Sequence, residues 1–189
     1  MTQGRLELIT GPMFSGKTSE VIRRVQRAQV ADKNVRCFKP VIEQRFGEEV
    51  LGSHDGHKIK AEAINESIEI VREVTKDTDV VVVDEVNFLD GRAIGNLQSL
   101  ANEGYRVIAS GTEQTFRGTP FHPVDGLMAV ADEVDKLQAV CQVCGDDASM
   151  NQRLNRDGEP AHVEEDTIKI GKQDIYEARC RHCHEVRTK

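Results

Sequence analysis

Residues 11–18 have the composition of a phosphate-binding loop. They read Gly-Pro-Met-Phe-Ser-Gly-Lys-Thr and match the P-loop pattern G-x-x-x-x-G-K-[ST]. In such a loop the glycines let backbone amides surround phosphate oxygens, and the following helix adds the partial positive charge of its N-terminus. Lys17 has the reach to contact the β- and γ-phosphates, and the Thr18 hydroxyl is a suitable Mg²⁺ ligand. The pattern therefore predicts a site for a nucleoside triphosphate.

Two adjacent carboxylates, Asp84 and Glu85, follow the uninterrupted β-branched run at 80–83. An acid at the end of a buried strand is the arrangement that binds Mg²⁺ in P-loop proteins. Because side chains alternate along a strand, both carboxylates cannot face one metal ion. We predict that Asp84 joins Thr18 at magnesium, and that Glu85 either activates a nucleophile or lies in an exposed loop. The predicted ATP-binding residues are Gly11, Pro12, Met13, Phe14, Ser15, Gly16, Lys17, Thr18, Asp84, Glu85, Val86 and Asn87.

Four of the five cysteines form two C-x-x-C pairs, which are Cys141 with Cys144 and Cys180 with Cys183. Four thiolates at this spacing can surround one Zn²⁺ ion in tetrahedral geometry. Residues 145–179 are polar and have few large apolar side chains, so we expect a structural metal to organise them. His182 and His184 are alternative ligands, and a redox pair or four unrelated thiols are the other interpretations.

The elements that must position these groups alternate along the chain. Apolar runs predict strands at 6–10, 35–38, 80–83, 105–109 and 134–140. Amphipathic patterns predict a helix directly after the P-loop and helices at 67–76 and 92–102, with loops at 43–57 and 110–124. The alternation predicts an α/β fold, with a parallel sheet and helices on both faces. We place one domain boundary near Cys141, between a nucleotide-binding core at 1–140 and a zinc-binding domain at 141–189.

Composition limits the class of protein. The 189 residues are 38% apolar and 30% charged, as in a soluble globular protein. The sequence shows neither a membrane-length apolar run nor a signal peptide, so we expect a cytoplasmic protein without a membrane partner. The formal net charge of −7 argues against nonspecific binding of nucleic acid, and it also fits a high-salt habitat. Cys37 stands apart from the other cysteines, and we expect it to be a small buried residue.

Together these motifs resemble type II thymidine kinases, over nearly the whole chain. The resemblance is carried by the P-loop with its internal Met-Phe, by Asp-Glu-Val-Asn-Phe at 84–88, by Phe-Arg-Gly-Thr-Pro-Phe at 116–121, and by Tyr-Glu-Ala-Arg at 176–179 before the second cysteine pair. It implies a P-loop core of the RecA-like kind and a small zinc domain that carries a lasso loop over the nucleoside. It also implies a homotetramer.

The resemblance implies an enzyme of nucleotide salvage, which transfers the γ-phosphate of ATP to the 5′-hydroxyl of thymidine with the help of Mg²⁺ and so supplies a DNA precursor. It places Glu85 at the general-base position and Asp84 at the magnesium-linked acid. Thymidine triphosphate is a candidate feedback inhibitor. For each phenylalanine below, core packing is the alternative interpretation. The implied thymidine-binding residues are Met13, Phe88, Phe116, Phe121, Thr167, Ile168, Lys169, Ile170, Gly171 and Tyr176.

The chain departs from the family's pattern at three positions. Asn87, Thr112 and Asn151 stand where Gln, Leu and Thr are usual, and the last two would change the polarity of the base pocket. This bears on how strictly thymidine is preferred over deoxyuridine. His-Asp at 54–55 resembles a family loop near the phosphates.

Two other functional classes remain as alternatives. One is a zinc-containing P-loop ATPase that acts on nucleic acid, and the other is a regulatory module in which the nucleotide switches the conformation. The acidic charge counts against the first. Glu85 and the signature of a substrate lid count against the second.

Overall fold

The computed structural model describes residues 4–42, 50–52, 58–168 and 175–188. In chain order the strands are β1 (Arg5–Thr10), β2 (Val35–Pro40), β3 (Val50–Gly52), β4 (Lys58–Lys60), β5 (Glu62–Ile64), β6 (Val80–Val83), β7 (Arg106–Gly111), β8 (Glu133–Lys136), β9 (Ala139–Val140), β10 (Asp147–Ala148), β11 (Met150–Leu154) and β12 (Ile175–Arg179). The helices are α1 (Lys17–Val30), α2 (Ser67–Glu73), α3 (Ala93–Asn102) and α4 (Val124–Val130), and a short 3-10 helix covers Val86–Phe88.

Six of these strands form one parallel sheet, in the order β5-β2-β6-β7-β1-β8. Strand β1 leads into the P-loop and β6 leads into Asp84, with β7 between them. Because the strands are parallel, their carboxyl ends share one edge of the sheet. That edge is where open α/β sheets bind ligands.

Apolar layers cover both faces of the sheet, and β6 shows how the sequence produces them. Val81 and Val83 join one buried cluster, which includes residues of α2, α3 and α4, whereas Val80 and Val82 join the cluster on the α1 side. Side chains of a strand alternate between the two faces, so a continuous valine run is apolar on both. The predicted P-loop fold, a parallel sheet with helices on both faces, is therefore confirmed.

A buried acid on β1 anchors α1 to the sheet. The Glu7 side chain is fully buried, and it accepts hydrogen bonds from the guanidinium groups of Arg24 on α1 and Arg106 on β7. Burial alone would raise the pKa of Glu7, but the Arg106 and Arg24 guanidinium groups outweigh it and hold that pKa below its usual value. The network fixes the helix that follows the P-loop.

Several predicted elements differ from the observed ones. The second helix ends at Glu73, not at residue 76. The predicted loop at 110–124 is shorter, because β7 reaches Gly111 and the short helix α4 begins at Val124. Val124 and Leu127 of α4 are buried and Met128 packs against the same cluster, but a helix of 7 residues is too short for its period to stand out in the sequence.

The predicted strand at 134–140 is wrong as one core strand. The chain pairs with β1 as the exposed edge strand β8, and Val134 is 36% exposed. It then leaves the sheet and forms β9, which pairs with β10 instead. The predicted loop at 43–57 is also wrong at 50–52, where β3 pairs with β4 and Leu51 is buried. The remainder of that loop, including the His-Asp pair at 54–55, lies outside the described residues.

Strands β9 to β12 form a small C-terminal unit, defined here as the described residues from 139 onward. It contains two antiparallel pairs, β9 with β10 and β11 with β12. Its apolar cluster consists of small residues: Ala139, Cys141, Ala148 and Ala178. The domain boundary after residue 140 remains a prediction. Within the described residues, no helix combines the length and the apolar character that a membrane span needs.

Candidate functional site

The backbone of the P-loop has positive φ angles at both of its glycines. Gly16 has φ 86° directly before α1, and Gly11 has φ 150°. A Cβ atom on Gly11 would lie 2.6 Å from the carbonyl oxygen of Leu137, so a larger residue would clash there. Phe14 also has a positive φ of 66°, and its side chain is half exposed. The loop therefore makes the tight turn of an anion-binding loop. Two of its amides have partners within the protein, since the Met13 amide donates to Asn151 Oδ1 and the Ser15 amide donates to the Pro12 carbonyl oxygen.

Lys17, the predicted phosphate-contacting residue, is buried and folds back over the loop. Its ammonium group donates hydrogen bonds to the carbonyl oxygens of Gly11 at 3.0 Å and Pro12 at 2.9 Å. These bonds hold a positive charge where the phosphates of a nucleotide bind in P-loop proteins. The side chain is therefore already positioned for its predicted partner.

Thr18 and Asp84, which the sequence assigns to one magnesium site, lie in direct contact. The Thr18 hydroxyl donates to Asp84 Oδ2 at 3.2 Å, the Ser110 hydroxyl donates to Oδ1, and the Glu85 amide donates to the same Oδ1 at 3.0 Å. Burial raises the pKa of Asp84 although these hydrogen bonds and the charge of Lys17 oppose the shift. A hydroxyl and a carboxylate are hard oxygen ligands of the kind that Mg²⁺ prefers, so the pair fits that ion.

Glu85 follows with a strained backbone. Its φ of 52° and ψ of 42° lie in the left-handed region, which is uncommon for residues other than glycine. Such strain costs about 1–3 kcal/mol and concentrates at functional sites. Its side chain is half buried at the edge of the sheet, and it directly follows Asp84 in the sequence. Its assignment as the general base remains a prediction.

Two of the residues that depart from the family's pattern connect loops of the site. Asn151 accepts a hydrogen bond from the Met13 amide at 2.7 Å and donates to the Gln114 carbonyl at 3.1 Å. Asn87 accepts a bond from the Thr112 amide at 2.9 Å. Asn151 thus joins the P-loop to the 112–121 loop from within strand β11. Sequence reasoning considered only the polarity of Asn151 and missed this bridging role, because its partners are distant along the chain.

The predicted nucleoside residues fall into different environments. Phe88 and Phe121 pack edge to face, with ring centroids 6.4 Å apart. Phe116 is buried, and the guanidinium carbons of Arg117 and Arg153 lie 4.4 and 3.8 Å from its ring centroid. The half-buried residues are Met13, Phe88, Phe121, Thr167 and Tyr176.

Tyr176 and Thr167 each lie next to one of the two arginines that stack on Phe116. Tyr176 on β12 pairs directly with Arg153 on β11. Thr167 contacts Arg117 through its hydroxyl, and Ile168 is 40% exposed. The remaining predicted lasso residues, Lys169, Ile170 and Gly171, lie outside the described residues. The assignment of all these residues to the nucleoside remains a prediction.

The cysteine pairs meet as the sequence predicts. The sulfur atoms of Cys141, Cys144, Cys180 and Cys183 all lie within 4.8 Å of one another, and those of Cys144 and Cys180 are 3.6 Å apart. A tetrahedral Zn²⁺ ion with bonds of about 2.3 Å needs sulfurs roughly 3.8 Å apart. The four thiols therefore fit a zinc ion, with no ligand position left open for water.

Two other observations bear on the cysteines. His184 donates from Nε2 to the Phe116 carbonyl at 2.8 Å, so its ring is engaged by the 112–121 loop. Cys37 lies buried in the sheet, as expected, and burial raises its pKa to about 12. Its thiol is therefore neutral, whereas a metal ligand would be a thiolate.

Comparison with known proteins places the sequence in one family. The family profile described as thymidine kinase matches residues 4–184. Among solved structures, the X-ray structure of the Legionella pneumophila ATPase DotB aligns over 78% of this chain and 44% of that chain, with a TM-score of 0.47 and 13% sequence identity. The chain thus spans less than half the length of DotB.

Proposed function

The chain belongs to the thymidine kinase family, and we propose that it transfers the γ-phosphate of ATP to the 5′-hydroxyl of thymidine, giving thymidine 5′-monophosphate and ADP. The observation that carries this proposal is the family match, which spans both the P-loop and the cysteine pairs. The geometry supports it, because Lys17, Thr18, Asp84 and Glu85 lie at the carboxyl edge of one parallel sheet.

Each group at this edge has a separate part in the proposed reaction. The P-loop amides and Lys17 bind the phosphates and neutralise charge on the transferring oxygens. Thr18 and Asp84 would hold Mg²⁺, which supplies further charge neutralisation when bound. Glu85 would orient the 5′-hydroxyl and accept its proton, while Phe88 and Phe121 offer apolar surface to the thymine ring.

The cysteine quartet has a structural part in this proposal. Four thiolates saturate a tetrahedral zinc ion, so the metal would connect β9 with the end of β12 and would not take part in the chemistry. The family resemblance supports three further proposals, which are assembly as a homotetramer, a cytoplasmic location, and inhibition by thymidine triphosphate.

A nucleoside panel with γ-labelled ATP tests the proposed reaction. We expect label in thymidine 5′-monophosphate, and the comparison of thymidine with deoxyuridine and deoxycytidine measures the preference for the base. The matched control is Lys17→Ala, which should lose the product. Failure to phosphorylate any nucleoside, together with ATP hydrolysis that DNA stimulates, would replace the proposal with the nucleic-acid ATPase.

A further inference from the structure

Two arginines that the sequence analysis did not assign hold segment 163–168, whose last two residues are the first two of the predicted lasso. Arg117 donates from Nε to the Val163 carbonyl at 2.6 Å, from Nη1 to the Thr167 hydroxyl at 2.7 Å, and from Nη2 to the Glu165 carbonyl. A single guanidinium group thereby reaches three residues of segment 163–168. Planar donors in a fixed fork suit such multiple contacts, and an ammonium group cannot reproduce them.

Arg153 approaches the same segment from strand β11. It donates to the Asp166 carbonyl at 2.7 Å and to Glu165 Oε2 at 3.2 Å, and it is 1% exposed. A buried guanidinium needs compensation of its charge, and here the Glu165 carboxylate and the Asp166 carbonyl oxygen accept from the two Nη groups, while Nε is buried without a hydrogen-bond partner among the described residues. Segment 163–168 is therefore part of the environment that Arg153 needs.

Both guanidinium groups stack over one aromatic ring, that of Phe116. The same phenylalanine is fixed on its backbone side, where its carbonyl accepts the bond from His184 beside the second cysteine pair. Stacking on an aromatic face favours a cation and restricts its rotamers. Phe116 thus gives the two arginines a fixed platform, and their donors extend from it to the segment.

We propose that Arg117 and Arg153 are positioning residues that hold segment 163–168 against the 112–121 loop and thereby set the affinity for the nucleoside. The proposal rests on the proposed kinase function for the identity of the ligand. It follows from the contacts because Arg117 joins a predicted pocket residue, Phe116, to a predicted lasso residue, Thr167. Arg153 joins the same ring to the two residues that precede Thr167. Ordering the segment before binding reduces the entropy lost when the nucleoside binds.

Steady-state kinetics of Arg117→Ala test the proposal. We expect the KM for thymidine to rise roughly 10-fold to 100-fold, the range for loss of charge-assisted hydrogen bonds. The KM for ATP and kcat should change by less than about 3-fold, since neither the P-loop nor Glu85 is touched. Arg117→Lys should restore part of the affinity. The matched control is Arg72→Ala, which removes an exposed arginine of α2 and should leave every constant unchanged.

A double-mutant cycle shows whether Arg117 acts through the segment. Thr167→Val removes the hydroxyl that accepts the Nη1 bond but keeps the size of the side chain. If the two residues act together, the effect of Arg117→Ala and Thr167→Val combined will be smaller than the product of the single effects. Fully multiplicative effects would contradict the proposal. So would an equal loss of affinity for ATP and thymidine with a lowered Tm, which indicates general damage to the fold.

Hydrogen exchange separates this proposal from the proposed function. In protein without nucleoside, peptides that cover 160–168 should exchange faster in Arg117→Ala than in the wild type, while peptides of β1 and β6 should not change. This readout needs no catalysis. If the wild type phosphorylates no nucleoside, the proposed function fails. The exchange rates still show whether Arg117 holds segment 163–168. Unchanged exchange at 160–168, or an unchanged KM for thymidine in an active enzyme, would overturn the proposed positioning role of Arg117.

Discussion

The carboxyl edge of the sheet and the C-terminal unit use their polar residues in opposite ways. At the sheet edge the proposed catalytic groups are costly to the fold: Glu85 has a left-handed backbone, and Asp84 is a buried carboxylate. The apolar layers on both faces of the sheet offset these costs. In the C-terminal unit the apolar cluster consists of small residues, and Asn151, Gln152 and Arg153 are buried on β11.

The buried polar residues of the C-terminal unit therefore stabilise it. Gln152 illustrates this, because its amide donates to the Glu185 carbonyl at 2.9 Å and its oxygen accepts from the Glu185 amide at 2.8 Å. This pair connects β11 to the residues that follow the second cysteine pair. The difference between the regions suggests that substitutions at the sheet edge will remove activity and spare stability, whereas those in the C-terminal unit will alter binding through local order.

The largest effect that we expect is on turnover, from Glu85→Gln at the sheet edge. The change keeps size and hydrogen bonding but removes the charge, so kcat should fall by about 10²–10⁴-fold, the range for a general base. ATP binding and Tm should stay near the wild-type values. The contrasting variant is Lys17→Ala, which should weaken ATP binding as well as turnover. Near-normal turnover in Glu85→Gln would show that Glu85 is not the base.

Cys180→Ser, in the C-terminal unit, should have an effect of intermediate size, on the zinc content and on the affinity for thymidine. The wild type should contain about one zinc ion per chain by elemental analysis, and the variant less. Loss of the metal frees β12 from β9, so the KM for thymidine should rise by roughly tenfold or more while the KM for ATP stays nearly constant. The matched control is Cys37→Ser in the sheet, which should keep its zinc. A zinc-free wild type that binds thymidine normally would contradict the prediction.

The smallest effect is on stability, from Asp84→Asn in magnesium-free buffer. The pKa of Asp84 is raised in the folded protein, so the folded state binds more protons than the unfolded state, and its stability falls as pH rises through that pKa. Asparagine cannot ionise, so the variant does not lose stability in this way. At neutral pH its Tm should therefore exceed that of the wild type.

The gain from Asp84→Asn should shrink as the pH falls toward the ordinary carboxyl range, where the wild-type side chain is protonated and neutral as well. Thermal unfolding across a pH series measures this. The amide can still accept the bonds from Ser110 and the Glu85 amide, so packing is conserved. A Tm below that of the wild type at every pH would mean that the hydrogen bonds outweigh the cost of burial.

Local sequence patterns predicted the sheet edge well because its signals are local. The valine run at 80–83 is apolar on both faces, and the P-loop glycines have conformations that few other residues adopt. Short elements and edge strands were harder to predict from the sequence. Strand β8 is an exposed edge with charged residues, and α4, with 7 residues, is too short for its helical period to stand out. Such elements form because they pair with a neighbouring strand or pack against a neighbouring helix.

The C-terminal unit was predictable in its cluster of four cysteines but not in its other contacts. The C-x-x-C spacing specifies a cysteine quartet without any knowledge of the fold. The stacking of Arg153 on Phe116 joins residues more than 30 positions apart, and no periodic pattern marks this arginine or Arg117, the chain neighbour of Phe116. A charged residue in a polar sequence is usually solvated, so composition alone predicts exposure for Arg153, which is fully buried.

The position of Lys17 has a consequence for the heat of nucleotide binding. Its ammonium group already donates to the Gly11 and Pro12 carbonyl oxygens, so the protein itself supplies acceptors for the residue that we propose to bind phosphate. A nucleotide that takes up those donors exchanges one set of hydrogen bonds for another. The enthalpy of association will therefore be smaller than a count of the bonds in the complex implies. A preference for phosphate over neutral ligands would then arise from the gain in charge pairing during that exchange.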